Sequence, residues 1–272
     1  MEKIIVIGGA GFIGSHLVDR LRDKYIVKIL DQKVMPYTDF SYYERAKDFI
    51  KEIKPTTIFD LAALPLYESI TKPYYVAYKI YCMGLNLCEL CRKGYFDSII
   101  HISSSEIFNI NTPYAAAKDA QDKLIKSYVN TFGIHAKIAR PFNTYGPRQT
   151  LNAVIPMTIQ RILRNERPII TGDGEQKRDL VYVDDTVKGI LNVWENGEDG
   201  KEYNISTGQC YSINEIVFTI MKIMDYKGEP IYKPARQGDT PIIHGEKTQD
   251  DCISLTEGLK RTVQWWQGKG YM

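Results

Sequence analysis

The chain has little of what marks a membrane, nucleic-acid-binding or disulfide-stapled protein. None of its 272 residues fall in an apolar run approaching the roughly 18 that a membrane-spanning helix requires. Charge is two-sided: 35 basic residues stand against 33 acidic, a net charge of +2, and like charges never run five in a row. A basic stripe for nucleic acid or for an acidic membrane surface is thereby excluded, and a small molecule is the expected partner. Cysteines number five, an odd count. Cys88-x-x-Cys91 lies inside a helical pattern with no second ligand pair, so Cys82, Cys88, Cys91, Cys210 and Cys252 read as reduced packing residues rather than a zinc or redox site. Histidine is scarce. His16, His101 and His135 have no metal-like spacing and read as structural or surface residues, His244 has no role assigned by sequence, and no metal is expected. The first residues enter an apolar strand at once, without the pattern of a secretory leader, so a cytoplasmic protein is expected.

What is present is alternation. Apolar strands near Lys3–Ile7, Ile26–Leu30, Thr57–Leu61, Ser98–Ser103 and Ala136–Ala139 take turns with helical patterns near Phe12–Asp23, Tyr42–Ile53, Tyr67–Lys93 and Tyr114–Phe132. Strands joined by helices predict an α/β fold, a Rossmann-type doubly wound parallel sheet with its ligand at the strand C-terminal ends. From Arg140 the texture changes, as Pro141, Pro147, Pro156 and Pro168 punctuate short elements. The expected division is a cofactor-binding domain of residues 1–142 plus about 177–198, and a smaller substrate-binding lobe of about 143–176 and 199–272. The strand and helix at Asp179–Glu195 are expected to return to the first domain.

The turn after the first strand carries Gly8-Gly9-Ala10-Gly11-Phe12-Ile13-Gly14. Gly8 permits a tight turn, Gly11 lets a pyrophosphate approach the backbone, and Gly14 lets helix and strand pack closely, with the positive helix end facing the phosphates. Gly8, Gly11, Phe12, Ile13 and Gly14 are candidate cofactor contacts. The second strand ends in Asp31 at the spacing expected of a ribose-binding carboxylate. An acidic group there accepts hydrogen bonds from both ribose hydroxyls and repels a 2′-phosphate, which favours NAD over NADP; Lys33 keeps NADP open.

A second constellation is Ser103-Ser104-Ser105-Glu106 at the end of the fourth strand, followed by Tyr114-Ala115-Ala116-Ala117-Lys118 at a helix start. Tyr114 and Lys118, four apart, share a helix face. The ammonium, with a positive nicotinamide, can stabilise a tyrosinate, and a strand-end serine can hold the substrate oxygen.

With these residues the chain resembles the extended short-chain dehydrogenase/reductase family, in particular its NAD-dependent nucleotide-sugar epimerases and dehydratases. Further matching segments are Leu61-Ala62-Ala63, Arg140-Pro141-Phe142-Asn143-Thr144-Tyr145-Gly146-Pro147-Arg148, Gly172-Asp173-Gly174-Glu175-Gln176, Arg178-Asp179, Tyr182-Val183-Asp184-Asp185 and Arg236-Gln237-Gly238-Asp239. The resemblance implies that Ala62 and Ala63 line the cofactor, that Asn143 contacts a sugar diphosphate, that Arg178 and Arg236 hold phosphate, and that Asp239 holds the nucleotide ribose. It also implies a homodimer through the helices of 67–93 and 114–132. The chain departs from its relatives in a short 31–39 segment, a short 106–114 segment, and Tyr81 where many carry asparagine. The leading expectation is epimerisation of a nucleotide sugar, such as a UDP-sugar, through a 4-keto intermediate, with Ser104, Tyr114 and Lys118 as catalytic residues. Dehydration or decarboxylation with Glu106 as base is the alternative, and a non-catalytic NAD-binding scaffold a distant third.

Overall fold

Ile4, Ile5, Val6 and Ile7 are buried almost completely, because the first strand has a neighbour on each side and helices over its faces. In the computed structural model, which describes residues 1–35, 37, 39–64, 66–235 and 240–268, the elements run β1 (Lys3–Ile7), α1 (Phe12–Leu21), β2 (Ile26–Leu30), α2 (Tyr43–Ile53), β3 (Thr57–Asp60), α3 (Glu68–Thr71), α4 (Pro73–Arg92), β4 (Ser98–Ile102), α5 (Pro113–Phe132) and β5 (His135–Pro141). The chain continues through β6 (Asn143–Tyr145), α6 (Val154–Leu163), β7 (Ile169–Thr171), β8 (Lys177–Tyr182), α7 (Val183–Asn196), β9 (Glu202–Ile205), β10 (Cys210–Ser212), α8 (Ile213–Ile223), β11 (Ile231–Lys233), β12 (Ile242–Ile243) and α9 (Leu255–Gly268).

Two units result, Met1–Pro141 with Val187–Asn204, and Phe142–Thr186 with the residues from Ile205 onward. The first holds a six-stranded sheet in the order β2-β1-β3-β4-β5-β9. β1 to β5 pair in parallel. The chain passes from β1 to β2 on one side and then to β3 on the other, so winding reverses at β1. That reversal opens a crevice at the C-terminal ends of β1 and β3, where the glycine turn begins. The second unit carries the small sheet in which β8 pairs with β6, β10 and β12, and a β7–β11 pair.

The return to the first unit differs from expectation. Strand β8, read as part of the cofactor domain, belongs to the second unit, where its partners are β6, β10 and β12. The returning piece is the helix from Val187 and the strand residues up to Asn204, of which 199–204 were expected in the substrate lobe. The helix expected over 67–93 is also divided. Lys72, at φ −131° and ψ 57°, separates α3 from α4, because Pro73 disfavours helical geometry in the residue before it and suits the first helical position.

Local chemistry fixes the helix that carries Tyr114 and Lys118. Thr112 caps it by accepting from Ala115 N–H, Pro113 occupies its first turn, and Gly133 ends it in the left-handed region at φ 67°.

Candidate active site

The glycine turn is held shut by its own backbone. Gly8 N–H donates to Leu30 O at 2.9 Å and Gly11 N–H to Gly8 O at 3.0 Å. Gly8 has φ +78°, and a Cβ on Gly14 would stand 2.2 Å from Gly8 O. That contact is with backbone, so the helix can approach the turn only because residue 14 has no side chain. Asp31 braces the same turn. Its Oδ2 accepts from Ala10 N–H at 3.1 Å and its Oδ1 from Lys33 N–H at 2.9 Å, which leaves a lone pair on each oxygen for a ribose diol.

Beside the turn lies a cavity of about 200 Å³ bounded by Gly8, Gly11, Asp31, Ala62 and Ala63. The residues present suit NAD: a side-chain-free turn at a helix N-terminus for pyrophosphate, a carboxylate for the ribose, and small side chains along the wall. The structure adds groups that sequence reasoning missed. Asp39, Tyr75 and Lys79 line this cavity as well, and the buried Lys79 Nζ donates to Asp39 Oδ2 at 2.5 Å and to Ser41 Oγ at 2.8 Å. Burial opposes both charges, yet their mutual hydrogen bond, helped by Ser41, draws Asp39 down and Lys79 up from their ordinary values. A lysine in a tyrosine-rich helix gave no local sign of this partner, which lies across the shortened 31–39 segment.

Ser104, Glu106, Tyr114 and Lys118 come together at the C-terminal end of β4 and the start of α5. Ser104 is hydrogen-bonded to Tyr114, and its Oγ also accepts from Glu106 N–H at 3.3 Å. Burial pushes the Tyr114 phenol up to about 12, Ser104 acts downward, and the Glu106 and Asp122 carboxylates act upward. Lys118 is 1% exposed. Its Nζ donates to Ile102 O at 2.9 Å, so in the free chain its anchor is the strand carbonyl. Burial draws Lys118 below its usual range against the upward pull of Asp60 and Asp122.

In the second unit, Asn143, Gln149, Gln176 and Arg178 line a pocket of about 270 Å³ with apolar walls from Ile155, Leu180 and Ile216. Among the described residues, the buried Asn143 Oδ1 and Gln149 Oε1 have no hydrogen-bond partner. Buried polar atoms are costly in that state. Gln149 was missed although it directly follows the matched 140–148 segment. Asp179, next to Arg178, is fully buried and accepts from Thr207 Oγ1, Gly208 N–H and Gly245 N–H at 2.7, 2.9 and 3.4 Å, so its work is to knot loops beside the pocket. Arg236 and Asp239 lie outside the described residues.

Comparison with known proteins follows the same lines. A putative UDP-glucose 4-epimerase of Methanocaldococcus jannaschii is 34% identical, covering 96% of this chain and 97% of the relative. UDP-glucuronic acid decarboxylase 1 of Arabidopsis thaliana is 27% identical over 96% of this chain and 69% of its own length. The crystal structure of UDP-glucose 4-epimerase from Thermotoga maritima with UDP-glucose superposes with a TM-score of 0.91 at 29% identity, covering 98% of this chain and 99% of that one. The family model described as the NAD dependent epimerase/dehydratase family matches residues 4–206, and with the glycine turn, Asp31 and the Tyr114/Lys118 pair in place, the chain belongs to that family.

Proposed function

We propose that this protein is an NAD-dependent nucleotide-sugar epimerase that inverts carbon 4 of a UDP-sugar through a transient 4-keto sugar. The observation that carries this reading is the Ser104–Tyr114 hydrogen bond with Lys118 one helical turn on. Bound NAD would supply an acceptor and donor for the carbon 4 hydride and a positive ring that favours the tyrosinate. Tyr114 Oη, ionised, removes the proton from the sugar 4-hydroxyl and gives it back after the ring has turned over. Ser104 Oγ donates to whichever oxygen carries the developing charge. Asn143, Gln149 and Arg178 supply an amide set and a guanidinium fork suited to a nucleotide diphosphate, and Arg236 and Asp239 are proposed to add phosphate and ribose contacts.

No further acid or base is needed for epimerisation, since Tyr114 serves both half-reactions. A second reading, dehydration, draws on Glu106, whose carboxylate is near enough to raise the Tyr114 phenol and could take a carbon 5 proton made acidic by the 4-ketone; in decarboxylation the carbon 5–carbon 6 bond of a 4-keto uronate would break instead. Product mass separates the two. Unchanged mass supports the epimerase, and loss of water or carbon dioxide supports the rival.

We further propose a cytoplasmic homodimer paired through α4 and α5. Tyr74, Tyr78 and Tyr81 on α4 are exposed by 80, 45 and 38%, more aromatic surface than a lone helix face ordinarily leaves in water. Light scattering at micromolar concentration tests it, and a strict monomer would refute it.

A further inference from the structure

Lys118 can steady a tyrosinate only while it keeps its own proton, and burial works against that. What sustains the ammonium is a pair of carboxylates that are themselves buried. Asp60 ends β3 and stands in register with His101 on β4. Asp122 follows Lys118 by one turn of α5, so one helix face presents both to the sheet. His101 Nδ1 lies 2.9 Å from Asp60 Oδ2 and Nε2 lies 3.5 Å from Asp122 Oδ1, with all three side chains at most 1% exposed.

Asp122 Oδ2 is already engaged, accepting from Ser103 Oγ at 2.7 Å and from Arg140 Nη2 at 2.8 Å. Its Oδ1 and the His101 Nε2 are buried and, among the described residues, lack hydrogen-bond partners. The two face each other at a separation that a shift of a few tenths of an ångström would close. A histidine on a core strand reads from sequence as packing, but packing does not require a carboxylate at each ring nitrogen.

We propose that His101 is a positioning residue for the catalytic pair: its ring ties Asp60 to Asp122 and so fixes both carboxylates about the Lys118 ammonium. The inference rests on the reading of Tyr114 and Lys118 as the acid–base pair. The charged and titratable groups set around Lys118 are Asp60 from β3, His101 from β4, and Tyr114 and Asp122 from its own helix, with Arg140 of β5 beyond Asp122. Asp60 is charged against the cost of burial chiefly because His101 bonds to it, aided by the charges of His101 and Lys118 and by Ala62 N–H. Without the ring, the Asp60 carboxylate takes up a proton and Lys118 loses one of its two counter-charges. The amine then neutralises at lower pH, and Tyr114 ionises only at higher pH.

The test reads Lys118 directly, by nitrogen-15 NMR of its Nζ across pH in the full-length protein, the resonance being assigned by its loss in Lys118→Met. His101→Phe should lower the midpoint of Lys118 by about one unit or more. His101→Asn, whose amide nitrogen stands near the position of Nδ1 and keeps a donor for Asp60, should recover at least half of that shift. If the phenylalanine variant fails to fold, His101→Gln decides: its amide reaches towards Asp122 and leaves Asp60 without its donor, so the midpoint must still fall. A midpoint unchanged in every folded variant overturns the proposal. With a nucleotide sugar, the acid limb of kcat/KM should move to higher pH by a similar amount while KM stays within about twofold, a split that loss of packing alone would not give. A parent protein that turns over no nucleotide sugar defeats the functional reading and leaves the NMR midpoint to decide this one; normal turnover with a fixed Lys118 midpoint defeats this inference alone.

Discussion

The carboxylate of Asp31 accepts the backbone N–H of Ala10 at 3.1 Å, so the residue proposed to select the ribose also braces the turn proposed to receive the pyrophosphate. Asp31→Ala should therefore weaken NAD binding by about 10- to 100-fold, the range for hydrogen bonds to a charged group, and narrow the gap between NAD and NADP. Calorimetric titration with each cofactor measures both. An unchanged affinity ratio would assign the choice to another group, with Lys33 the first to examine.

A methyl group on the turn separates close packing from mere flexibility. Gly14→Ala places a Cβ 2.2 Å from Gly8 O and 2.9 Å from Gly9 Cα, and both obstacles are backbone. The turn must open, and NAD affinity should fall at least about tenfold along with a lowered Tm. Gly94→Ala is the control: its φ of +74° strains an alanine, but no atom lies within 4 Å of the added carbon. It should cost about 1 kcal/mol of stability and leave NAD affinity untouched. Equal effects of the two variants on NAD binding would contradict the role given to Gly14.

Acid stability should report Asp60. Its carboxyl is held below the usual carboxylate range: burial alone would raise it, but the His101 hydrogen bond and charge, the Lys118 charge and Ala62 N–H together outweigh that. A depressed native value means that the stabilisation is complete above the unfolded-state value and is lost as pH falls through the lower native one. The Tm of the parent should drop steeply below about pH 4, whereas Asp60→Asn should start lower at neutral pH and decline less over the same interval. Parallel acid limbs for the two proteins would remove Asp60 from the account.

Much of this was legible in the sequence where the determinants are local. The run Ile4–Ile7, the glycine spacing and Asp31 lie within one strand–turn–helix–strand segment, and each restricts the backbone by itself. The Tyr114/Lys118 pair is equally local, since helical pitch alone puts four-apart residues together. Strand β8 was misplaced because its apolar residues suit either sheet, and only pairing with β6, β10 and β12 decides between them. The partners of Lys79 and His101 escaped notice for the same reason: Asp39 is 40 residues from Lys79 and Asp60 is 41 from His101, and no local pattern announces a buried polar pair. The break at Lys72 was readable from Pro73 and was outweighed by the apolar pattern on either side.

Glu106 and Tyr114 can be weighed against each other in one series. Tyr114→Phe should reduce turnover by at least about 100-fold, the lower range for a lost general acid–base, while Glu106→Gln should stay within about tenfold of the parent if it serves only by holding the end of β4. Accumulation of 4-keto sugar with persistent absorbance of reduced cofactor in Glu106→Gln would mean that Glu106 is the carbon 5 base, and the dehydratase reading would replace the epimerase.

The most direct test follows carbon 4 itself. The protein is supplied with NAD and a UDP-hexose carrying deuterium at carbon 4, and the sugar is recovered at equilibrium for mass spectrometry and proton NMR. The predicted result is a mixture of the two carbon 4 epimers at unchanged mass, with deuterium retained at carbon 4, which Tyr114→Phe approaches at least about 100-fold more slowly. A product lighter by water, or deuterium transferred to another carbon, would contradict the account.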